Sequence, residues 1–243
     1  LGLGIMGAPM AVNQVRAGFD VVGWNRTLSK AAPVEEAGGS VAQTPAETVT
    51  GADYILSILD SGPVVREVFF DSGAIDSMKP GAVFIDMASI PPKMAQDHAA
   101  RLKEKGVGHL DAPVSGGSLG AAEGSLAIMA GGEQADFERT TEAVSKMSAR
   151  YTLMGPSGAG QITKLVNQVI SGCSFVTIVE AVRLASDAGI EAGKLTECLQ
   201  GGFADSKLFQ ILVPRMLAGV DEPFGHVKTV LKDVETALDL GYQ

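Results

Sequence analysis

The chain has 243 residues, more than one typical domain of ~150, which leaves one large domain or two unequal ones. With 46% hydrophobic and 19% charged residues it can bury a sizeable core, which excludes a disordered tail, a fibre or a repeat array. The formal charge of −9 has the wrong sign for a nucleic-acid partner, and two cysteines, Cys173 and Cys198, with no Cys-x-x-Cys, make neither a disulfide framework nor a thiolate zinc site.

The first element is a glycine turn. Gly2, Gly4 and Gly7 satisfy Gly-x-Gly-x-x-Gly, a pattern that 30 glycines in 243 positions would produce about 0.4 times by chance. Context raises its weight, because the turn opens a helical stretch, Ala8 to Ala17, and a strand over Asp20 to Trp24 follows at the expected distance. Such glycines let Leu3, Ile5 and Met6 carry the backbone close to a pyrophosphate seated on the positive end of the helix. The turn needs a feeding strand that Leu1 alone does not supply, so the sequence reads as starting inside a strand.

At the end of the second strand an NAD site calls for a carboxylate, but this chain has Asn25, Arg26 and Thr27. A carboxylate would repel a 2′-phosphate, whereas Arg26 can hold one bidentately, which favours NADP, with NAD the alternative. Further along, Thr44-Pro45-Ala46-Glu47 has the pattern of a capping box with proline at the first helical position. Strands are expected at Tyr54 to Leu59, Ala82 to Asp86, Val107 to Asp111, Leu126 to Ala130 and Tyr151 to Met154, alternating with helix-length stretches in βαβ rhythm. After Asp111, Ser115, Gly116 and Gly117 offer a hydroxyl and two unshielded N–H groups at the carboxyl edge of the sheet, which suits a carboxylate; a tight turn would use two glycines equally well.

The punctuation GPSGAG at 155–160 marks a domain boundary, with an α/β domain over 1–160 and an all-α domain over 161–243. A long helix is expected from Gln161 to Ala188, closed by Gly189, with Lys164 in its first turn, where the dipole and partial burial would lower the amine's pKa and make it an acid–base group. Asn167 and Gln168 lie three and four residues on, on roughly the same face. The apolar positions Val166, Val169, Ile170, Phe175, Val176 and Val179 exceed what a small helical domain needs, so a homo-dimer or homo-tetramer is expected. Shorter helices follow near Glu191 to Gln200, Asp205 to Leu217 and His226 to Leu240. The apolar face of the last, from Val227 to Leu238, lacks anything to pack on, so a C-terminal segment is read as missing.

Three segments together, GLGIMGAPM at 2–10, DAPVSGG at 111–117 and GAGQITKLVNQ at 158–168, resemble the β-hydroxyacid dehydrogenases. This group includes 3-hydroxyisobutyrate dehydrogenase, tartronate semialdehyde reductase and the glyoxylate/succinic semialdehyde reductases. The resemblance covers essentially the whole chain. It implies a Rossmann-like N-terminal domain, an all-α C-terminal domain and a substrate pocket between them. It also implies NADP or NAD as cofactor and a small-molecule carboxylate, a 3-hydroxy acid or its semialdehyde, as substrate. The first motif then holds the dinucleotide, the second binds substrate, and Lys164 is catalytic. Softer matches place Leu59 and Asp60 over the cofactor, with Asp60 where the family has proline, and Ser89 beside the nicotinamide. Lys232, followed by Asp233, would reach the cofactor, and Phe224 and Gly225 fall where some members carry an aromatic of the substrate wall. Residues 201–206 match a variable loop read as substrate selection, with helix capping by Asp205 or Ser206 as the equal alternative.

Other readings compete. Gly116-Gly117-Ser118-Leu119-Gly120 matches a nucleophile elbow, but a serine hydrolase needs a downstream histidine and only His226 follows. A non-catalytic nucleotide-binding protein of the same fold would lack the lysine, and imine reductases of this architecture usually replace it. No metal is expected, since His98 and His109 lack ligand spacing. No run of about 18 apolar residues is uninterrupted and the start has no basic segment, so neither a membrane partner nor a signal peptide is expected, and the cytoplasm is the expected compartment.

Overall fold

A computed structural model describes residues 1–220 and 227–241. The chain forms two compact units, Leu1–Lys164 and Leu165–Gln243. In the first, α1 (Gly7–Arg16), β1 (Val22–Gly23), α2 (Ala32–Glu36), β2 (Ser40–Val41), α3 (Pro45–Val49), β3 (Tyr54–Ser57), α4 (Gly62–Val65) and β4 (Val83–Asp86) alternate. Then come α5 (Pro92–Lys103), β5 (Gly108–Asp111), β6 (Val114–Ser115), α6 (Gly117–Glu123), β7 (Leu126–Gly132), α7 (Gln134–Ser145), β8 (Ser148–Gly155) and the start of α8 (Ala159–Asp187). The second unit holds the rest of α8 with α9 (Leu195–Cys198), α10 (Lys207–Leu217) and α11 (Val227–Gly241).

Strands β3, β4 and β5 are parallel neighbours; β7 runs antiparallel to β5 and β6, and β8 pairs parallel with β7. The parallel pair β1 and β2 is joined to this sheet by the first residues of the chain. Leu1 N donates to Leu56 O at 2.7 Å, Leu1 O accepts from Ile58 N at 3.1 Å, and Gly2 N donates to Trp24 O at 3.0 Å. Helices cover both faces, so β4 is buried along its whole length. Phe84 packs with Phe69, Leu102 and Ile55 on one side, while Val83 and Ile85 pack with Leu110, Leu126 and Ile128 on the other. Strands buried on both faces read as unbroken apolar runs, and for that reason β4, apolar up to Asp86, stands out in the sequence.

Two strands do not. Ser40–Val41 and Val114–Ser115 are two residues each and exist only through their partners β1 and β7. The capping residues at Thr44 act as their pattern predicts, with one displacement. Thr44 Oγ1 accepts from Glu47 N at 3.2 Å, but the Glu47 carboxylate reaches Gln43 N at 2.9 Å, one residue further back than in the usual box.

Two expectations need correction. Helix α8 starts at Ala159 rather than Gln161, so Lys164 is its sixth residue and sits in the second turn. The dipole field fades within the first turn, so the argument that it tunes Lys164 loses most of its force. The other concerns the count of apolar runs: by length and composition alone α8 is long and apolar enough to cross a membrane, a test that the core helix of a soluble protein also passes. Polar residues such as Asn167, Gln168 and Ser171 interrupt its apolar run without offsetting the average, which is why counting an unbroken run missed it.

Candidate active site

The glycine turn is built by close approach. Gly2 has φ +89°, and a Cβ there would lie 2.4 Å from Ile58 O; a Cβ on Gly7 would lie 1.9 Å from Gly2 O. Neither position can carry a side chain. Gly4 differs, because a Cβ there would meet nothing within 4 Å. The N-terminus of α1 has no side-chain cap and no acidic residue in its first turn, and Ile5 is exposed beside it. An uncapped helix start behind an open glycine fits a pyrophosphate, the group that a nicotinamide dinucleotide would lay there. Leu3, by contrast, is buried, and its N–H donates to Asn25 Oδ1 at 3.0 Å. Asn25 also donates to Thr27 O at 3.1 Å, so its amide ties the end of β1 to the turn, while Arg26 and Thr27 stay exposed. Leu59 packs into the core next to Gly2, and Asp60 is exposed.

A second constellation forms where β4 and β5 end. Asp86 and Asp111 are register partners at the carboxyl ends of these strands, and both are fully buried. Asp111 Oδ1 accepts from Gly158 N at 2.7 Å and Oδ2 from Gln161 N at 2.9 Å. Burial raises its pKa to about 6, against the pull of those amides. Asp86 is raised further, to about 7, by burial and by the neighbouring Asp111 charge, opposed by the 3.0 Å bond from Ala88 N to its Oδ1. Its Oδ2 has no hydrogen-bond partner among the described residues.

Gln161 is 1% exposed, and its side chain clamps the segment after β4, accepting from Ile90 N at 3.0 Å and donating to Ala88 O at 2.8 Å. Ser89 is held between those two contacts. One turn further along α8, the half-buried Lys164 donates through Nζ to Val114 O at 2.9 Å. The next residues are Ser115, Gly116 and Gly117. Gly116 has φ +133° and Gly117 φ +62°, so the turn requires both glycines on backbone grounds alone. Lys164, Ser115, Gly116, Gly117 and Ser89 thus lie around one group of strand ends within the first unit. Asp111 and Gln161, which hold them, went unnoticed in the sequence; an aspartate closing a strand ahead of a glycine-flanked helix start was the available signal.

In the second unit Gln168 is buried and committed at both ends of its amide. Nε2 donates to Asp233 Oδ2 at 2.8 Å, and Oε1 accepts from Asn167 Nδ2 at 3.0 Å. Asp233 also pairs with Lys232 at 3.4 Å. In residues 201–206 the capping alternative is realised: Ser206 Oγ accepts from Phe209 N at 3.0 Å, and Asp205 accepts from Gly201 N and Gln210 Nε2, which holds its carboxyl below the usual range. Phe203 is wholly exposed in that loop. Phe224, Gly225 and His226 lie outside the described residues.

For the elbow reading, the one downstream histidine, His226, lies outside the described residues; among the described residues neither ring nitrogen of buried His109 has a hydrogen-bond partner, nor does Nδ1 of His98, so neither of these imidazoles is seen paired with Ser118. Among the described residues, no group of three His, Cys, Asp or Glu could hold a metal ion.

Residues 1–155 match the family of the NAD-binding domain of 6-phosphogluconate dehydrogenase, and residues 158–243 that of the NAD-binding domain of NADP-dependent 3-hydroxyisobutyrate dehydrogenase. The chain belongs to the β-hydroxyacid dehydrogenase family. It is 37% identical over 240 residues to 2-hydroxy-3-oxopropionate reductase of Escherichia coli, covering 98% of this chain and 83% of that protein. Identity to glyoxylate/succinic semialdehyde reductase 1 of Arabidopsis thaliana is 32%, covering 99% of this chain and 84% of that one. The structure of 3-hydroxyisobutyrate dehydrogenase from Mycobacterium tuberculosis, solved with L-serine, superposes with a TM-score of 0.89 at 30% identity, covering 99% of this chain and 84% of that one. The Rossmann-type unit and the helical unit are those of this family, and the chain is an NAD(P)-dependent 3-hydroxyacid dehydrogenase.

Proposed function

We propose that Lys164 is the acid–base group of the reaction, that NADP(H) is preferred over NAD(H), and that the substrate is a short 3-hydroxy acid or semialdehyde of the tartronate semialdehyde or 3-hydroxyisobutyrate type. The observation that carries the reading is the 2.9 Å bond from Lys164 Nζ to Val114 O, which holds the amine beside the Ser115–Gly117 turn. The substrate carboxylate binds to that turn through the Ser115 hydroxyl and the Gly116 and Gly117 amides. When bound, the cofactor supplies or accepts the hydride. Lys164 Nζ gives a proton to the carbonyl oxygen in reduction and takes it back in oxidation. The backbone of Gly2, Leu3, Gly4, Ile5, Met6 and Gly7 holds the pyrophosphate, with Asn25, Arg26 and Thr27 at the adenosine ribose, Leu59 and Asp60 over the dinucleotide, Ser89 at the nicotinamide, and Lys232 as a further contact. Exposed Arg26, in place of a carboxylate, supports NADP(H). Both amides are candidate substrate ligands; Asn167 Nδ2 donates to Gln168 Oε1, and Gln168 Nε2 donates to Asp233.

Residues 1–160 serve as the dinucleotide domain and 161–243 as the helical domain. The alternative substrate pair, glyoxylate or succinic semialdehyde, is favoured by the Arabidopsis relative. Copies of this chain cover the exposed Val166, Ile170 and Val176 of α8 in a homo-dimer or homo-tetramer. Asp111 binds the first turn of α8 into the sheet unit, which favours protein rather than lipid on that helix. Two exposed, unpaired cysteines suit a reducing, cytoplasmic compartment.

A panel of tartronate semialdehyde, methylmalonate semialdehyde, succinic semialdehyde and glyoxylate with NADPH and NADH, run beside Lys164→Ala, tests the reading. The variant should lose about 10²- to 10⁴-fold in kcat with little change in the KM for NADPH. Full turnover by Lys164→Ala would remove the acid–base role.

A further inference from the structure

Helix α8 is fastened by a carboxylate from another element. Gly158, immediately before the helix, and Gln161, its third residue, present N–H groups that no helical carbonyl satisfies. A side chain at the helix start usually caps such donors. Here both go to Asp111 at the end of β5, at 2.7 and 2.9 Å. The joint is tight. A Cβ on Gly160 would lie 2.3 Å from Asp111 O and 2.4 Å from Met129 O, and one on Gly131 would lie 2.7 Å from Asp111 Oδ1. Asp111 is fully buried with both oxygens engaged, so it does not reach a substrate. It nevertheless controls both ends of one contact. It fixes the first turn of α8, with Lys164 following in the second turn three residues beyond Gln161, and it begins the run Asp111-Ala112-Pro113-Val114, whose last carbonyl accepts the Lys164 bond.

We propose that Asp111 is a positioning residue for Lys164, setting where the amine stands over the Ser115–Gly117 turn by bonding the Gly158 and Gln161 amides. This rests on the acid–base role of Lys164 given above. The arrangement has few ways to relax. A charged acceptor shared by two amides fixes direction as well as distance, and the glycines at 131 and 160 leave no room for the helix to rotate in place. A change at Asp111 therefore moves Lys164 rather than only loosening the helix.

Asp111→Asn keeps the shape and one acceptor, but sets an NH2 against an amide N–H. With the best aldehyde of the panel its kcat should fall about 10²-fold, as expected for a reacting group displaced by about 1 Å, while the KM for NADPH stays unchanged. Unfolding midpoint and NADPH binding report that the variant is folded; if it is not, Asp111→Ser, whose hydroxyl can serve one of the two amides, is read in the same assays. The decisive measurement adds the same substitution to Lys164→Ala. A residue that acts through the lysine costs nothing more once the lysine is gone, whereas one that merely supports the fold costs its full amount again. An unchanged kcat in the folded variant, or a full second loss in the double variant, overturns the proposal. Lys164→Ala retaining turnover would remove the acid–base reading itself; Lys164→Ala inactive with Asp111→Asn normal would remove only the positioning role.

Discussion

The N-termini of α1 and α8 both belong to the unit that carries the sheet, yet they are finished in opposite ways. At α1 no side chain caps the helix, and the glycine in front of it faces open space at Gly4. At α8 the equivalent donors are filled by the buried carboxylate of Asp111, and the glycine at 160 is pressed against two backbone carbonyls. A helix start left open can receive a ligand's negative charge; one closed by the protein's own charge cannot, and acts instead as a fixed support for the residues that follow. In the proposed roles the same backbone chemistry would serve binding at one place and positioning at another, and what differs between them is whether a carboxylate from another strand reaches it.

Breaking this contrast should hurt most at the closed end. Gly160→Ala forces a methyl group into Asp111 O and Met129 O, and should destabilise the fold by about 3 kcal/mol, read as a lower urea midpoint at unchanged slope. An unaltered midpoint would mean that the joint is looser than its distances imply. On the open side the effects should fall on the cofactor and not on stability. Arg26→Asp should raise the KM for NADPH roughly tenfold or more relative to that for NADH, by losing a charged contact to the 2′-phosphate. Equal changes for both cofactors would remove the NADP(H) assignment. Gly4→Ala, with nothing near its new methyl, should melt like the parent but bind NADPH about tenfold more weakly, the equivalent of about one hydrogen bond. Normal binding there would move the pyrophosphate elsewhere.

The smallest expected effect is a cancellation. Burial lowers the pKa of His109 to about 3 and that of His98 to about 4, so between pH 6.5 and 4 the unfolded chain binds protons that the folded one refuses, and these residues lower stability as pH falls. Asp86 and Asp111, raised to about 7 and about 6, do the reverse: the folded chain keeps protons that the unfolded one releases, so stability rises as pH falls toward 4. The melting temperature should therefore change little from pH 7 to 5. Asp86→Asn removes one opposing contribution and should turn the flat profile into one that drops on acidification; a flat profile in that variant would contradict the balance.

Much of this architecture can be read locally. The run at β4 is apolar because both its faces are covered, and the caps at Thr44 and Ser206 need only neighbours three residues away. The glycine turn and Lys164 are legible for the same reason, being short segments with their own chemistry. Strands β2 and β6 are not, since two residues become a strand only beside a partner. Asp111 and Gln161 were missed on the same ground: their roles lie in bonds spanning 47 and 73 positions of the chain, from Gly158 to Asp111 and from Gln161 to Ala88. The start of α8 lies two residues before its expected place, directly after Gly158 with its φ of +93°, and the Asp111 carboxylate holds the amides on either side of that start.

By itself, the order of residues determined the alternation of strands and helices and pointed to the proposed dinucleotide seat and the proposed amine, because periodicity, capping and glycine geometry act over a few positions. Only the tertiary structure decided which carboxylates are buried, that Gln168 is tied to Asp233 and where Lys164 stands relative to the turn at Ser115. Those depend on groups brought together from remote parts of the chain, where burial and fixed hydrogen-bond directions replace solvent as their surroundings.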